Sequence, residues 1–230
     1  MFKAKSALGA VLISIMSLSV PGALLARAPE TVDDLYKVDS KKFDEVFLLP
    51  GVDFRPYTKV MIDDPEVAFE RNWQRDYNRS SGSLSNRISD RDAERILGAA
   101  REGLAEVFAG AFGKAGYEVV AAPGPDVLRI KVDVINLRIN APDVNSSARS
   151  RTYAREAGQA KIIIEARDSM SGALLGRAVD ARRIGGSGFL TVRSRVSNRS
   201  DFGQAFKRWA QLSVEGLEAL KDTPPVSSGN

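Results

Sequence analysis

Two spacings of apolar residues organise this chain. After Ser89, the residues Ile96, Leu97, Ala100, Leu104, Val107, Phe108, Ala111 and Phe112 return at helical intervals, with Arg91, Glu94, Arg95, Arg101, Glu102 and Glu106 between them. Such a stripe predicts an amphipathic helix with one buried face. Ser89 with Asp92 three residues on matches a capping box, in which each side chain satisfies a backbone N–H left free at the helix start, and Gly116 fits a C-terminal cap. A second helix is predicted near the end of the chain, capped by Ser200-Asp201. Phe202, Ala205, Phe206, Trp209, Leu212, Leu217 and Leu220 line one side of it, and Lys207, Arg208, Glu215, Glu218 and Lys221 the other.

Between these helices the period falls to two. Across residues 127–139, Leu128, Ile130, Val132 and Val134 alternate with Arg129, Lys131 and Asp133, and the phase then flips to Ile135, Leu137 and Ile139. A flip of phase needs one extra residue, so a β-bulge is predicted near Val134-Ile135. Residues 159–167 predict a strand with Ile162, Ile164 and Ala166 inward. The turn Asp168-Ser169-Met170-Ser171-Gly172 returns it to a hairpin partner over 173–182. A first strand is expected over 58–63, ended by Asp64-Pro65 and continued by residues 67–69, and a short one over 117–121. Pro123-Gly124-Pro125 is a turn. Residues 27–56 read as an opening segment whose apolar Val46 to Leu49 packs as an extended arm. Residues 71–87, polar but for Trp73 and Tyr77, read as a long surface loop, and residues 140–157 and 185–199 as polar, arginine-bearing loops. The order predicts an α+β fold: a single mixed, mainly antiparallel sheet with two amphipathic helices packed on one face. One domain spans 27–222, and a Pro- and Ser-rich tail at 223–230 is expected to be disordered.

The first 26 residues have the three parts of a secretory signal. Lys3 and Lys5 precede a mostly apolar stretch to Val20, and Pro21-Gly22 and the small residues Ala23, Ala26 and Ala28 follow. Cleavage is expected after Ala26, because Pro29 hinders a cut after Ala28. The apolar run falls short of the ~20 residues a bilayer span needs, and nothing else in the sequence reads as a transmembrane helix. Removal of Lys3 and Lys5 lowers the formal charge from +4 to about +2, too little to argue for nucleic acid. The sequence has no histidine and no cysteine. It therefore has no imidazole for acid–base work near neutral pH, no thiol nucleophile, no disulfide and none of the usual zinc ligands bar carboxylates. Nothing calls for a cofactor or a metal, and the expected protein is not an enzyme.

Five features of the sequence bear on chemistry. Asp63, Asp64 and Glu66 cluster at a strand end, where paired carboxylates can do acid–base work or hold a hard cation, although turn chemistry accounts for the same residue types. Arg149, Arg151 and Arg155 occupy one loop, and Arg182, Arg183, Arg193, Arg195 and Arg199 sit in or beside another. Guanidinium forks suit phosphates and carboxylates, so loops that converged would make a basic binding surface; the alternative is scattered, solvated charge. Gly185-Gly186-Ser187-Gly188 lacks the residues of a phosphate loop. Trp73 and Tyr77 either present a contact surface or tuck back onto the domain. No serine lies in a nucleophile elbow.

Certain phrases resemble a known family: Lys59-Val60-Met61-Ile62-Asp63, Ala115-Gly116-Tyr117-Glu118-Val119-Val120, Pro123-Gly124-Pro125-Asp126-Val127-Leu128-Arg129-Ile130, and Ile164-Glu165-Ala166-Arg167-Asp168-Ser169-Met170-Ser171-Gly172. From residue 48 to 220 the chain resembles the bacterial envelope proteins called domain of unknown function 3313, many of them lipoproteins. The resemblance implies an α+β domain in the periplasm or at the outer membrane and implies no activity. This chain departs from it in lacking a lipid-bearing cysteine. The reading that results is an exported envelope protein that binds a partner protein or an anionic lipid or polysaccharide through residues 71–87, 145–157 and 185–199. A carboxylate-dependent hydrolase of cell-wall sugar, using Asp63, Glu66 or Asp168, is the alternative, and a structural subunit of an envelope assembly a third.

Overall fold

A computed structural model describes residues 31–81, 86–140, 142, 152–186, 189–193 and 195–223. The expected signal segment lies outside them, as do Arg149 and Arg151. The strands are β1 (Thr31–Val32), β2 (Leu35–Val38), β3 (Glu45–Leu48), β4 (Lys59–Ile62), β5 (Glu66–Phe69), β6 (Glu118–Val119), β7 (Val127–Ile139), β8 (Thr152–Ala154), β9 (Gly158–Asp168), β10 (Leu174–Ile184) and β11 (Thr191–Arg193). The helices are α1 (Trp73–Ser80), α2 (Asp90–Lys114) and α3 (Arg195–Lys221). Nine strands form one sheet in the order β1-β2-β3-β10-β9-β7-β4-β6, with β5 also on β7. Pairing is antiparallel except where β4 meets β6 and β7 and where β5 meets β7. This is the expected α+β architecture.

The alternation of the long strands builds the core. Leu128, Ile130, Val132 and Val134 on β7 and Ala160, Ile162 and Ile164 on β9 are buried on one face. Leu104, Phe108 and Phe112 of α2 and Phe206, Trp209 and Leu217 of α3 belong to the same core. The capping box forms as expected: Asp92 N–H donates to Ser89 Oγ and Ser89 N–H to Asp92 Oδ2, each at 3.2 Å. Gly116 ends the helix at φ +95°. The phase flip on β7 falls at Asn136, whose φ is +54°. Three residues of β7 there oppose two of β9, which returns Leu137 and Ile139 to the core.

Three expectations change. Residues 71–87 are not a long loop, because α1 fills residues 73–80. Two side chains bolt it to the start of α2: Asn78 Nδ2 donates to Ile88 O at 2.9 Å, Ile88 N–H donates to Asn78 Oδ1 at 2.7 Å, and Gln74 Nε2 reaches Asp90 at 2.9 Å. The last helix starts at Arg195 rather than at Ser200-Asp201, which lie inside it. The opening segment joins the sheet itself, with β3 paired to both β2 and β10. A helical residue such as Asn198, buried among apolar neighbours, hides the first turn of α3 from a hydrophobic pattern.

The other face of the sheet carries ion pairs within and between its strands. Glu165 bonds Arg167 at 2.8 Å and Arg177 at 2.7 Å, and Arg177 also reaches Asp33 at 2.7 Å. Burial pushes the Glu165 carboxyl up, but hydrogen bonds from Arg167 and Arg177 outweigh it and hold the group below its ordinary value. A group whose folded pKa is depressed adds stability that is present above its unfolded pKa, about 4.3, and is lost as pH falls through the lower folded value. Glu165→Gln should therefore flatten the loss of stability between about pH 5 and pH 3. Urea unfolding across that range checks this, and parallel profiles for the two proteins would refute it.

Candidate functional site

The three central strands end together. Ile139 of β7 and Ile184 of β10 both lie opposite Gly158, the first residue of β9. Beyond this end β8 and β11 pair antiparallel, with Thr152 opposite Arg193, Tyr153 opposite Val192 and Ala154 opposite Thr191. The backbone thus brings the two arginine-bearing segments into one two-stranded ribbon. At its base Ala157 N–H donates to Ile184 O at 2.7 Å, Asn140 N–H donates to Ala157 O at 2.9 Å, and Asn140 Nδ2 donates to Glu156 O at 3.0 Å. Gly158 permits the approach, since a Cβ there would stand 1.9 Å from Arg138 O. Gly185, at φ +68°, leads out of β10 where a Cβ would meet the Asp201 carboxylate at 2.4 Å.

Around this end, Arg155 is exposed just after β8. Arg183 is exposed on the last turn of β10, with its Nε 3.9 Å from Glu156. Arg193 closes β11, and Arg195 opens α3 two residues on. Arg199 follows one turn later, exposed and paired with no carboxylate among the described residues. No acidic residue occupies the first turn of α3.

Arg199 also lines a cavity of about 430 Å³ between α2 and α3. Leu137, Ile139, Phe202 and Phe206 supply apolar surface, and the small residues Ala99, Gly103 and Gly203 leave the gap between the helices. Arg95, Glu102 and Glu106 complete the rim, and Arg95 pairs with Asp92 at 3.2 Å. Sequence reasoning placed Arg95 on a solvated helix face. The missed signal is Ala99 and Gly103 at a four-residue spacing on one helix, with Gly203 on the other. Guanidinium groups beside an apolar groove are of a chemistry that suits phosphates and carboxylates.

Arg182 belongs elsewhere. Its Nε donates to Asp180 at 2.5 Å, and Trp209 Nε1 donates to the same carboxylate oxygen at 2.6 Å. Asp180 is 1% exposed. Arg182 is therefore the counter-ion of a buried carboxylate that ties α3 to the sheet. Trp73 tucks back, 5% exposed, stacked on Phe69 at 4.1 Å, with its Nε1 donating to Ile139 O at 3.3 Å. Tyr77 lies half-buried beside it, and burial raises its phenol pKa. Trp73 packs the domain rather than presenting a contact surface, and Tyr77 leans against it at a ring distance of 6.0 Å.

The carboxylate candidates are held by neighbours. Both oxygens of Asp63 accept from Arg129 Nε, at 2.8 and 2.9 Å, and exposed Glu66 lies 3.4 Å from Lys131. Asp168 caps its own turn, accepting from Ser171 N–H and Oγ–H at 2.7 Å each and from the Tyr57 hydroxyl at 3.0 Å. The Ser171 hydrogen bonds hold its carboxyl below the ordinary range. The same Asp168 and burial raise the Tyr57 phenol to about 12, burial contributing most. A general acid needs a raised carboxyl, and Asp168 has the opposite.

The chain belongs to the family of proteins of unknown function designated DUF3313, which matches residues 30–213. No curated protein matches it in sequence. Among solved structures it is similar to the PelC dodecamer from Paraburkholderia phytofirmans, at 13% identity over 72% of this chain and 96% of that one, with a TM-score of 0.34. A Xanthomonas campestris protein of family DUF330 shares 13% identity over 74% and 90% of the two chains, with a TM-score of 0.35. A Helicobacter pylori chain described as a neuraminyllactose-binding hemagglutinin homologue shares 13% over 81% and 96%, with a TM-score of 0.36. At these values the likenesses carry nothing about function to this chain. Among the described residues no helix is long and apolar enough to cross a membrane.

Proposed function

We propose that this protein is a non-enzymatic component of the bacterial cell envelope, exported by its N-terminal segment to the periplasm or the inner side of the outer membrane. It binds a phosphate- or carboxylate-bearing envelope component, or an acidic partner protein, through the arginine-bearing end of the sheet. One observation carries the reading: β8 and β11 pair, so that two arginine segments far apart in sequence share one ribbon beside the α2–α3 groove. The lack of histidine and cysteine and the fixed, charge-paired carboxylates support binding over turnover.

Arg155, Arg183 and Arg199 are exposed and outside the core, so their joint replacement by alanine should leave the fold intact. It should weaken binding to vesicles containing lipid A about tenfold or more, each lost charge-assisted contact contributing about 1 kcal/mol. Binding of the unaltered protein should also weaken as salt rises. Flotation with lipid A vesicles, and pull-down of envelope proteins with the same variant, read both classes of partner. Unchanged capture in both would overturn the assignment. Peptidoglycan turnover lost on Asp63→Asn would favour a hydrolase instead.

A further inference from the structure

A second cavity, of about 360 Å³, lies under the other half of α3. It is distinct from the arginine-bearing end, which meets α3 at residues 195–206. Both layers lack bulk at the same place. On the sheet side β10 contributes Gly176 and Ala178, and on the helix side α3 contributes Ser213, Gly216 and Ala219, three residues apart. Leu48, Phe54, Phe112, Ile164 and Leu217, all core residues, supply the rest of the wall. The size falls in the range of small-molecule sites, about 300–1,000 Å³. Cavities of this kind have too few polar partners to hold water well, and an empty one forfeits the dispersion contacts of its lining.

The mouth is formed by the segment from Val38 to Phe43. Ser40 Oγ accepts from the backbone N–H of Lys42 at 3.1 Å and of Phe43 at 3.2 Å, and Phe43 is buried in the core. This fixes the turn over the opening. Asp39, Lys41 and Lys42 stand on the rim. Lys42 is spanned to Glu215 of α3 at 2.5 Å. Lys41 makes no ion pair among the described residues, so an anionic head placed at the mouth has a cation to meet.

We infer that this cavity between β10 and the C-terminal half of α3 binds the acyl chain of a long-chain fatty acid, with its carboxylate held at the mouth by Lys41. The inference does not depend on the arginine ribbon or its partner. The acyl chain fills the space between Ala178 and Gly216, with the Lys42–Glu215 pair beside it.

The test is displacement of cis-parinaric acid by palmitate from the full-length protein, read by fluorescence. Saturable displacement is expected. Gly216 lines the cavity, and a Cβ there would meet nothing within 4 Å, so Gly216→Leu should fold, raise the Tm and weaken palmitate about tenfold or more by occupying the space. Lys41→Glu should weaken palmitate about threefold to fivefold, as one exposed charge pair allows, and leave the uncharged monopalmitoylglycerol within about twofold. Absence of saturable displacement, or a folded Gly216→Leu protein that binds palmitate as tightly as the parent, would overturn the site. Equal loss of both ligands in Lys41→Glu would overturn the carboxylate contact. Loss of lipid A binding in the arginine variant leaves all three readouts unchanged.

Discussion

Trp209→Ala should destabilise the protein by about 4 kcal/mol, the middle of the range for deleting a buried aromatic side chain. Trp209 is fully buried at the centre of α3, with Phe206 stacked against it at a ring distance of 6.2 Å. Its indole also partners the Asp180 carboxylate on β10. Truncation therefore opens a large cavity and removes one of the hydrogen bonds that make a buried carboxylate tolerable. Trp209→Phe separates the two effects: it keeps most of the volume, removes only the N–H, and should cost about 1–2 kcal/mol. For a protein of this size the alanine variant should melt about 10 °C lower. Urea unfolding followed by circular dichroism measures each step. A Trp209→Ala protein within about 1 kcal/mol of the parent would show that α3 is not fastened to the sheet at this point.

The second large effect belongs to Gly158→Ala. A methyl group there would stand 1.9 Å from Arg138 O, 3.0 Å from Arg138 C and 2.9 Å from the Phe202 ring. Two of these atoms are backbone, so no rotamer change relieves the contact, and β7 must part from β9 while Phe202 shifts as well. Overpacking that moves backbone costs about 3 kcal/mol. The same shift disturbs the base of the arginine ribbon, because Ala157 is the residue that bonds Ile184 and Asn140. Gly158→Ala should therefore lose stability and weaken anion binding together, although residue 158 touches no ligand. Gly98→Ala supplies the control, since a Cβ at that helical glycine meets nothing within 4 Å, and it should be neutral or slightly stabilising. A Gly158→Ala protein as stable as that control would contradict the strand approach described above.

What could be read from the sequence follows the strength of each physical signal. The capping box, the long apolar stripe of α2 and the alternation of β7 and β9 each repeat a rule several times within one element, and they were legible with nearly correct bounds. The bulge was legible because period two tolerates no silent insertion; its site at Asn136 was displaced by about one residue, where a side chain at positive φ is tolerated. The helix α1 was hidden because eight residues hold only two apolar side chains. Trp73 and Tyr77 are four apart on one face, a pattern too brief to separate from chance. The carboxylate tie was hidden because Asp180 and Arg182 look like ordinary surface charges on a strand. Ribbon pairing between two three-residue strands leaves no period at all. The palmitate-sized gap was beyond sequence reading altogether, since it depends on small residues of β10 and α3 meeting across two layers.

The pairing of β3 with β10 joins Leu48 to Gly176, and this sets an order on assembly. A polypeptide made from its N-terminus completes the β2–β3 pair long before β10, the other neighbour of β3, exists. β3 lacks its second neighbour until β10 has been made, and pairings of such long sequence separation slow folding. Closure of this sheet edge therefore waits on the last third of the chain, whichever compartment the chain folds in.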